Sequence, residues 1–250
     1  MTRYDFRTTR LHVEAPLQAG QSIALGRDQG NYLTNVLRLR QGDAVLVFNG
    51  RDGEWQAALA GTAKRPELTV ERQVRGQTPA GDLHYLFAPL KHARLDYMTQ
   101  KAVEMGASRL QPVLSRHTQV ARVNLARMQA NAIEAAEQCG ILSIPEIAEP
   151  KPLTQAIAAV ETQRLLIFCD EDAEIRDPVA ALARVRPEGK PPPPLAVLIG
   201  PEGGFGEDER QSLIALPNVV RLALGPRILR ADTAAVAALA LVGAVLGDWR

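Results

Sequence analysis

Cysteine is scarce: Cys139 and Cys169 are the only two in 250 residues. Two thiols cannot build a disulfide framework or an all-cysteine zinc site, which needs four. Long apolar runs are missing as well. The opening MTRYDFRTTR holds none, which argues against a secretory leader. The longest uncharged stretch near the end, Thr233–Gly247, has 15 residues and is rich in alanine. A membrane span requires about 20 predominantly apolar residues. These absences point to a reduced, cytoplasmic protein with no membrane partner. Net charge is nearly absent too, at +1 from 29 Lys+Arg against 28 Asp+Glu. On its face that total excludes a polyanionic partner. The rest of the composition, 46% hydrophobic and 23% charged, is that of an ordinary globular chain of one or two domains.

The total hides a gradient. Residues 1–75 carry 11 cations against 8 acids, and Leu83–Arg127 carries seven cations against two acids. Met128–Lys190 reverses this, with 11 acids and six cations. Of the 29 cations, 24 are arginine, the side chain that pairs bidentately with phosphate and stacks on bases. A basic first half fits a nucleic-acid surface; solvated faces and composition bias explain the same counts.

Residues 1–75 read as a small β-barrel domain with one short helix. Val45–Phe48 meets the turn signals Asn49-Gly50 and Asp52-Gly53 before Glu54–Leu59. Leu68–Val74 alternates as a third strand. Asp28 can cap a helix with Leu33, Val36 and Leu37 on one side. Arg75–Asp82 reads as a linker. Residues 76–250 change rhythm, with strands at 83–90, 110–114, 165–169, 195–199 and 219–224. Helices alternate with them: His92–Gly106, one capped by Asn124, one from Glu207, and Ala231–Leu246. Glu188–Pro194 reads as a stiff proline loop. The class is α/β with a parallel sheet.

Two segments carry the chemistry. Leu195–Gly206 runs a buried strand into glycines and an acidic helix start, Glu207-Asp208-Glu209. Open parallel sheets bind ligands at strand carboxyl ends, and glycine lets the backbone approach closely. The spacing is neither a Walker A loop nor a dinucleotide fingerprint. The acidic helix start repels a polyphosphate, so a ligand with a cationic or weakly charged portion fits better. Alone, the segment reads first as a plain strand–turn–helix connection. Leu224–Ala234 is a second such loop, with Arg227, Arg230, Asp232 and Thr233 at the mouth of the last helix. Asp232 or Thr233 can cap that helix, and Arg227 or Arg230 can pair with Glu202 or Asp232.

Leu198-Ile199-Gly200-Pro201-Glu202-Gly203-Gly204 and Leu224-Gly225-Pro226-Arg227-Ile228-Leu229-Arg230, followed by Asp232-Thr233-Ala234, resemble the cofactor loops of the RsmE family. These are small-subunit ribosomal RNA methyltransferases of the SPOUT class, which make N3-methyluridine in 16S rRNA. Val36-Leu37-Arg38, Gly42-Asp43 and Phe48-Asn49-Gly50 resemble the family's RNA-binding domain. Lys91, Gln100–Gly106 and Glu137-Gln138-Cys139-Gly140 resemble motifs of its catalytic domain. The sequence departs from the family at Asn35, where a basic residue is common. It departs at Ile141-Leu142-Ser143, where an arginine is common, and at Asp232, where glutamate is usual.

The resemblance implies a PUA-like β-barrel over residues 1–75 and a SPOUT domain over 76–250 with a C-terminal trefoil knot. It implies S-adenosylmethionine bound by Leu198, Ile199, Gly200, Pro201, Glu202, Gly203, Leu224, Gly225, Pro226, Ile228, Leu229 and Thr233. Arg230 then stabilises charge developing on the uracil, with Thr233 or Glu202 orienting it or the base. Arg38, Lys91 and Arg116 contact phosphates of 16S rRNA or the small ribosomal subunit. A homodimer is implied, in which the apolar last helix can be buried, although ordinary core burial explains that helix equally. No metal is called for. Ribose 2′-O-methylation and a non-catalytic ribosome-assembly role are the alternatives. Cys139 and Cys169 read as small buried residues, and His12, His84, His92 and His117 as surface residues.

Overall fold

The computed structural model describes residues 7–62, 65–186 and 193–249, with the backbone alone for His92. Most of the expected proline loop at 188–194 lies outside them. The chain forms two compact units. The first comprises residues 1–79 with 136–144, and the second residues 80–135 with 145–250.

In the first unit β1 (Arg10–His12), β2 (Ser22–Ala24), β3 (Ala44–Phe48), β4 (Glu54–Thr62) and β5 (Arg65–Arg75) form one sheet. Its order is β1-β3-β4-β5-β2. Only β1–β3 is a parallel pair. The β3–β4 turn forms because Asn49 Oδ1 accepts the amides of Arg51 (3.1 Å) and Asp52 (2.9 Å). Gly53 follows at a φ of +80°, where an added Cβ would lie 2.4 Å from the Arg75 carbonyl oxygen. Alternating residues Val45, Val47, Ala57, Leu59, Leu68 and Val70 fill the core. Residues 136–144 fold with this unit although they lie far downstream. Glu137 Oε1 accepts the His12 amide at 2.8 Å, and Arg75 donates to the Gly140 carbonyl at 2.7 Å.

The expected helix here is α1 (Arg27–Asn31) running into a π-helical turn, Tyr32–Val36. The Leu37 amide reaches back five residues to the Tyr32 carbonyl. That wide turn breaks the 3.6-residue period. Leu33 stays buried, while Val36, expected on the same face, is 61% exposed. Gly26, not Asp28, occupies the N-cap. Arg38 follows at a φ of +57°, the one described non-glycine residue in the left-handed region.

The second unit holds β6 (Leu83–Phe87), β7 (Arg109–Leu114), β8 (Glu146–Ile147), β9 (Lys151–Pro152), β10 (Leu165–Cys169), β11 (Leu195–Ile199) and β12 (Val219–Leu222). Their order is β12-β10-β11-β6-β7-β8, with β9 also on β7, and every pairing is parallel. The expected α/β class is borne out. Pro112 sits inside β7 without interrupting it. The Leu110 carbonyl accepts from Ala148 beside β8, so Pro112, two residues on, turns its missing N–H to that same side. There β8 has ended and β9 starts only at Val113.

The helices are α2 (His92–Glu104), α3 (Leu125–Cys139), α4 (Leu153–Ala158), α5 (Pro178–Ala183), α6 (Glu207–Ile214) and α7 (Ala231–Val245). Asn124 Oδ1 accepts the Arg127 amide at 3.0 Å, as a cap of α3 requires. Arg230, not Asp232 or Thr233, is the N-cap of α7, and no side chain caps it. Ala235, Ala238, Leu239 and Val242 of α7 are buried against α2, α5 and β11. Among the described residues no helix is long and apolar enough to cross a membrane.

Candidate active site

A cavity of about 550 Å³ lies at the carboxyl ends of the adjacent strands β12, β10 and β11. Its size is that of a small-molecule site, and its place is where parallel sheets bind ligands. Each strand gives one wall. Ile199–Phe205 follows β11, Leu224–Leu229 follows β12, and Cys169–Asp172 follows β10.

The first two walls are the predicted glycine loops. Ile199, Gly200, Pro201, Glu202, Gly203, Leu224, Gly225, Ile228 and Leu229 line the cavity. Leu198 does not; its side chain is fully buried in the sheet core. Pro226 and Thr233 also lie off the lining, and the Thr233 amide donates to Asp232 Oδ1 at 3.0 Å. Gly200 is forced by packing, since an added Cβ would lie 2.6 Å from the Phe205 ring. Gly225 is forced by conformation, at a φ of +92° with open space around it. His117 braces the first loop, its Nδ1 lying 3.1 Å from the Gly203 carbonyl oxygen and 3.2 Å from that of Gly204. Two acceptors require the proton on Nδ1.

The third wall went unread in the sequence. Asp170 is buried and takes both Arg210 (3.1 and 3.2 Å) and Arg221 (2.7 Å). Burial pushes its carboxyl up, but the hydrogen bonds from Arg210 and Arg221 prevail and hold it below the ordinary carboxylate range. Burial, then the neighbouring Asp170 charge, pushes the Cys169 thiol up to about 12, so it stays a neutral thiol. Cys139, expected to be buried, is exposed. His12 and His84, expected at the surface, are partly buried, and desolvation lowers both imidazoles.

Arg94 of α2 also escaped the sequence reading. Its Nε and Nη2 donate to the two oxygens of Asp232 at 3.0 and 3.1 Å, and its Nη1 pairs with Glu202 Oε1. The hydrogen bonds from Arg94, with the Thr233 amide adding less, hold the Asp232 carboxyl below its usual value although burial pushes it up. The pairing that the sequence left open to Arg227 or Arg230 therefore belongs to Arg94. Arg230 is exposed and off the cavity lining, although its neighbours Leu229 and Ala231 are on it. Neither Arg227 nor Arg230 has a side-chain hydrogen bond or ion pair with a described residue.

The remaining predicted cations are all exposed. Lys91 is the N-cap of α2 and has no side-chain partner among the described residues, and the same holds for Arg38. Arg116 is engaged: Nη2 meets Asp208 Oδ2 at 3.1 Å and its amide donates to Glu209 Oε1 at 2.8 Å. That pair is largely solvent-exposed and worth little, so a phosphate can compete for the guanidinium.

Comparison with known proteins places this geometry. The family model described as an RNA methyltransferase domain matches residues 77–243, and one described as an RNA methyltransferase PUA domain matches residues 25–71. Ribosomal RNA small subunit methyltransferase E of Synechocystis sp. is 32% identical, over 94% of this chain and 77% of its own. The protein of that name from Rickettsia conorii is 28% identical, over 93% of this chain and 94% of its own. The crystal structure of the Neisseria gonorrhoeae protein of that name, bound to S-adenosyl methionine, superposes with a TM-score of 0.80. It is 27% identical, with 98% of this chain and 100% of that one covered. With two thirds of its length matched by one model and a PUA domain ahead of it, the chain belongs to the RNA methyltransferase family whose members carry the name ribosomal RNA small subunit methyltransferase E.

Proposed function

We propose that the protein uses S-adenosylmethionine to methylate N3 of a uridine in 16S rRNA of the small ribosomal subunit, as a homodimer whose C-terminal unit carries a trefoil knot. The observation that carries this reading is the cavity itself. It is walled by two glycine loops at the ends of parallel strands, in a chain of this family. The donor set suits the cofactor. Five carboxylates line the cavity (Asp170, Glu171, Asp172, Glu202, Glu207) with two guanidiniums (Arg210, Arg227). Such a lining repels a polyphosphate and favours a ligand with cationic groups. Apolar Ile199, Leu222, Leu224 and Leu229 offer a surface for a flat ring. The glycine loops and the Cys169–Asp172 segment would hold the cofactor. When bound, it supplies an electrophilic methyl group on a good leaving group.

The chain must do the rest. Uracil N3 has to lose its proton to solvent, and the anion left on the ring needs a fixed positive charge beside it. Arg230 is a guanidinium at the cavity's edge with no carboxylate partner among the described residues, and it supplies that charge. Glu202 and Asp232 are held by Arg94, so they orient the site through that pairing. The test compares 16S rRNA nucleosides, by mass spectrometry, from cells with and without the protein. Loss of one N3-methyluridine is expected. Loss of a ribose-methylated nucleoside instead, or no change, overturns the reading.

Arg38 offers a separate check. Relief of its left-handed strain makes Arg38→Gly slightly more stable, by at most about 1 kcal/mol, because glycine's greater unfolded-state entropy offsets part of the gain. If Arg38 meets a phosphate, the same variant binds rRNA more weakly, with a log–log salt slope lower by about 1. Thermal melts and binding titrations at several salt concentrations read the two effects separately.

A further inference from the structure

The two glycine loops arrive from different strands, β11 and β12, which are not neighbours because β10 lies between them. One side chain joins the segments that follow them. Arg94 spends Nε and Nη2 on Asp232, in the first turn of α7, and Nη1 on Glu202, in the loop after β11. The topology explains how it reaches both. Its helix α2 follows β6, the other neighbour of β11, so it starts at the same edge of the sheet. Only arginine has the donors for this: a planar fork grips one carboxylate at two points while its remaining terminal nitrogen meets another. A lysine cannot make the same three bonds in fixed directions. The three side chains are partly shielded, at 31% exposure for Arg94, 44% for Glu202 and 18% for Asp232.

A second consequence concerns the loop's own cations. Arg227 and Arg230 stand close in sequence to Asp232, yet neither pairs with it or with Glu202. Arg94 has taken both carboxylates. Were it absent, two uncompensated acids would remain, Glu202 in the loop after β11 and Asp232 in the first turn of α7, available to neutralise these arginines.

We propose that Arg94 is a positioning residue that ties Glu202 to Asp232, fixing the two cavity loops against each other and leaving Arg227 and Arg230 for a polyanionic substrate. The first half concerns the loops alone; the second rests on the methyl-transfer reading, which supplies rRNA as that substrate.

The test uses the full-length protein. Hydrogen–deuterium exchange without any ligand reads the tie. In R94M, amides of residues 200–204 and 225–229 exchange about tenfold faster than in wild type, and R94K falls between them. Unchanged exchange in either loop overturns the tie. Binding of a 16S rRNA transcript across a salt series reads the second half. R94M binds more weakly with a flatter salt slope, and R94M/E202Q/D232N, which deletes the released acids, recovers the affinity and the slope while its loops still exchange fast. A purely structural role predicts no recovery, and that result overturns the proposal's second half. If R94M fails to fold, judged by its thermal melt, E202A and D232A each remove one arm outright, and both are expected to speed exchange in the two loops. A wild-type protein that binds neither S-adenosylhomocysteine nor the transcript removes the methyl-transfer reading and with it the second half. The exchange result still decides the tie.

Discussion

Replacing Arg230 with alanine leaves the affinity for S-adenosylhomocysteine within about twofold and lowers the rate of methyl transfer to rRNA by about 10²–10³-fold, the cost of losing one preorganised charge stabiliser. The split follows from where the residue stands. Arg230 is exposed at the N-cap of α7 and lies off the cavity lining, so its side chain is not part of the wall. Its guanidinium has no partner among the described residues, so no internal ion pair is broken by the change. An arginine stays protonated throughout the working range and is a poor proton acceptor. In the proposed reaction its value lies in stabilising the uracil anion as N3 gives up its proton to solvent. In the variant that deprotonation goes unaided, so the residual rate climbs with pH more steeply than in wild type. Arg230→Lys keeps the charge without the fork and recovers part of the rate. Single-turnover kinetics with a 16S rRNA transcript, beside a calorimetric titration with S-adenosylhomocysteine, measure both halves. Turnover equal to wild type sinks the role. Lost S-adenosylhomocysteine binding would make Arg230 a part of the loop's architecture instead.

The features legible in the sequence are those whose cause is local. Asn49-Gly50 and Asp52-Gly53 announce their turn because one asparagine oxygen and two left-handed glycines build it. The helices α2 and α3 announce themselves by their spacing, and α7 by its almost wholly apolar run. The glycine loops are legible as a pair that follows two buried strands and resembles the family's cofactor motifs, since either alone reads as a plain connection. What was missed depends on distant partners. Arg94 looks like any surface cation until the fold brings it to Glu202 and Asp232, 108 and 138 residues away. Asp170-Glu171-Asp172 looks like one more acidic turn until β10 sets it between the glycine loops. The pairing left open for Arg227, and less readily for Arg230, is absent for the same reason, since sequence proximity to Asp232 lost to the reach of α2. The strands β1 and β2, three residues each, are too short to show alternation. The π-helical turn after α1 exposes Val36 because one extra residue in the turn defeats a period-based reading.

Asp170→Ala is expected to destabilise the protein by about 3 kcal/mol, the scale of breaking a buried ion pair by removing one partner. Asp170 is buried at the end of β10, where one carboxylate satisfies Arg210 from α6 and Arg221 from β12. Removing it leaves two partly buried guanidiniums with only Asp172 beside them, its exposed carboxylate 3.9 Å from Arg210 and its carbonyl accepting from Arg221. At about 2–4 °C per kcal/mol for a chain of this size, the melting temperature falls by roughly 10 °C at neutral pH. The pH dependence identifies the charge as the source. Although burial raises it, the two arginines bring the folded carboxyl below its ordinary value. The charge therefore stabilises the fold fully above the unfolded carboxyl value of about 3.9, and this contribution fades as pH drops from there through the folded value. Wild type and variant should thus differ most near neutrality and draw together below about pH 4. A gap that stays constant on acidification would assign the loss to packing instead of charge. The same substitution loosens the wall of Cys169–Asp172, so S-adenosylhomocysteine should bind more weakly even at temperatures where the variant is fully folded. That sets Asp170 apart from Arg230: one shapes the cavity and the other acts at its edge, so cofactor affinity should fall in the first variant and hold in the second.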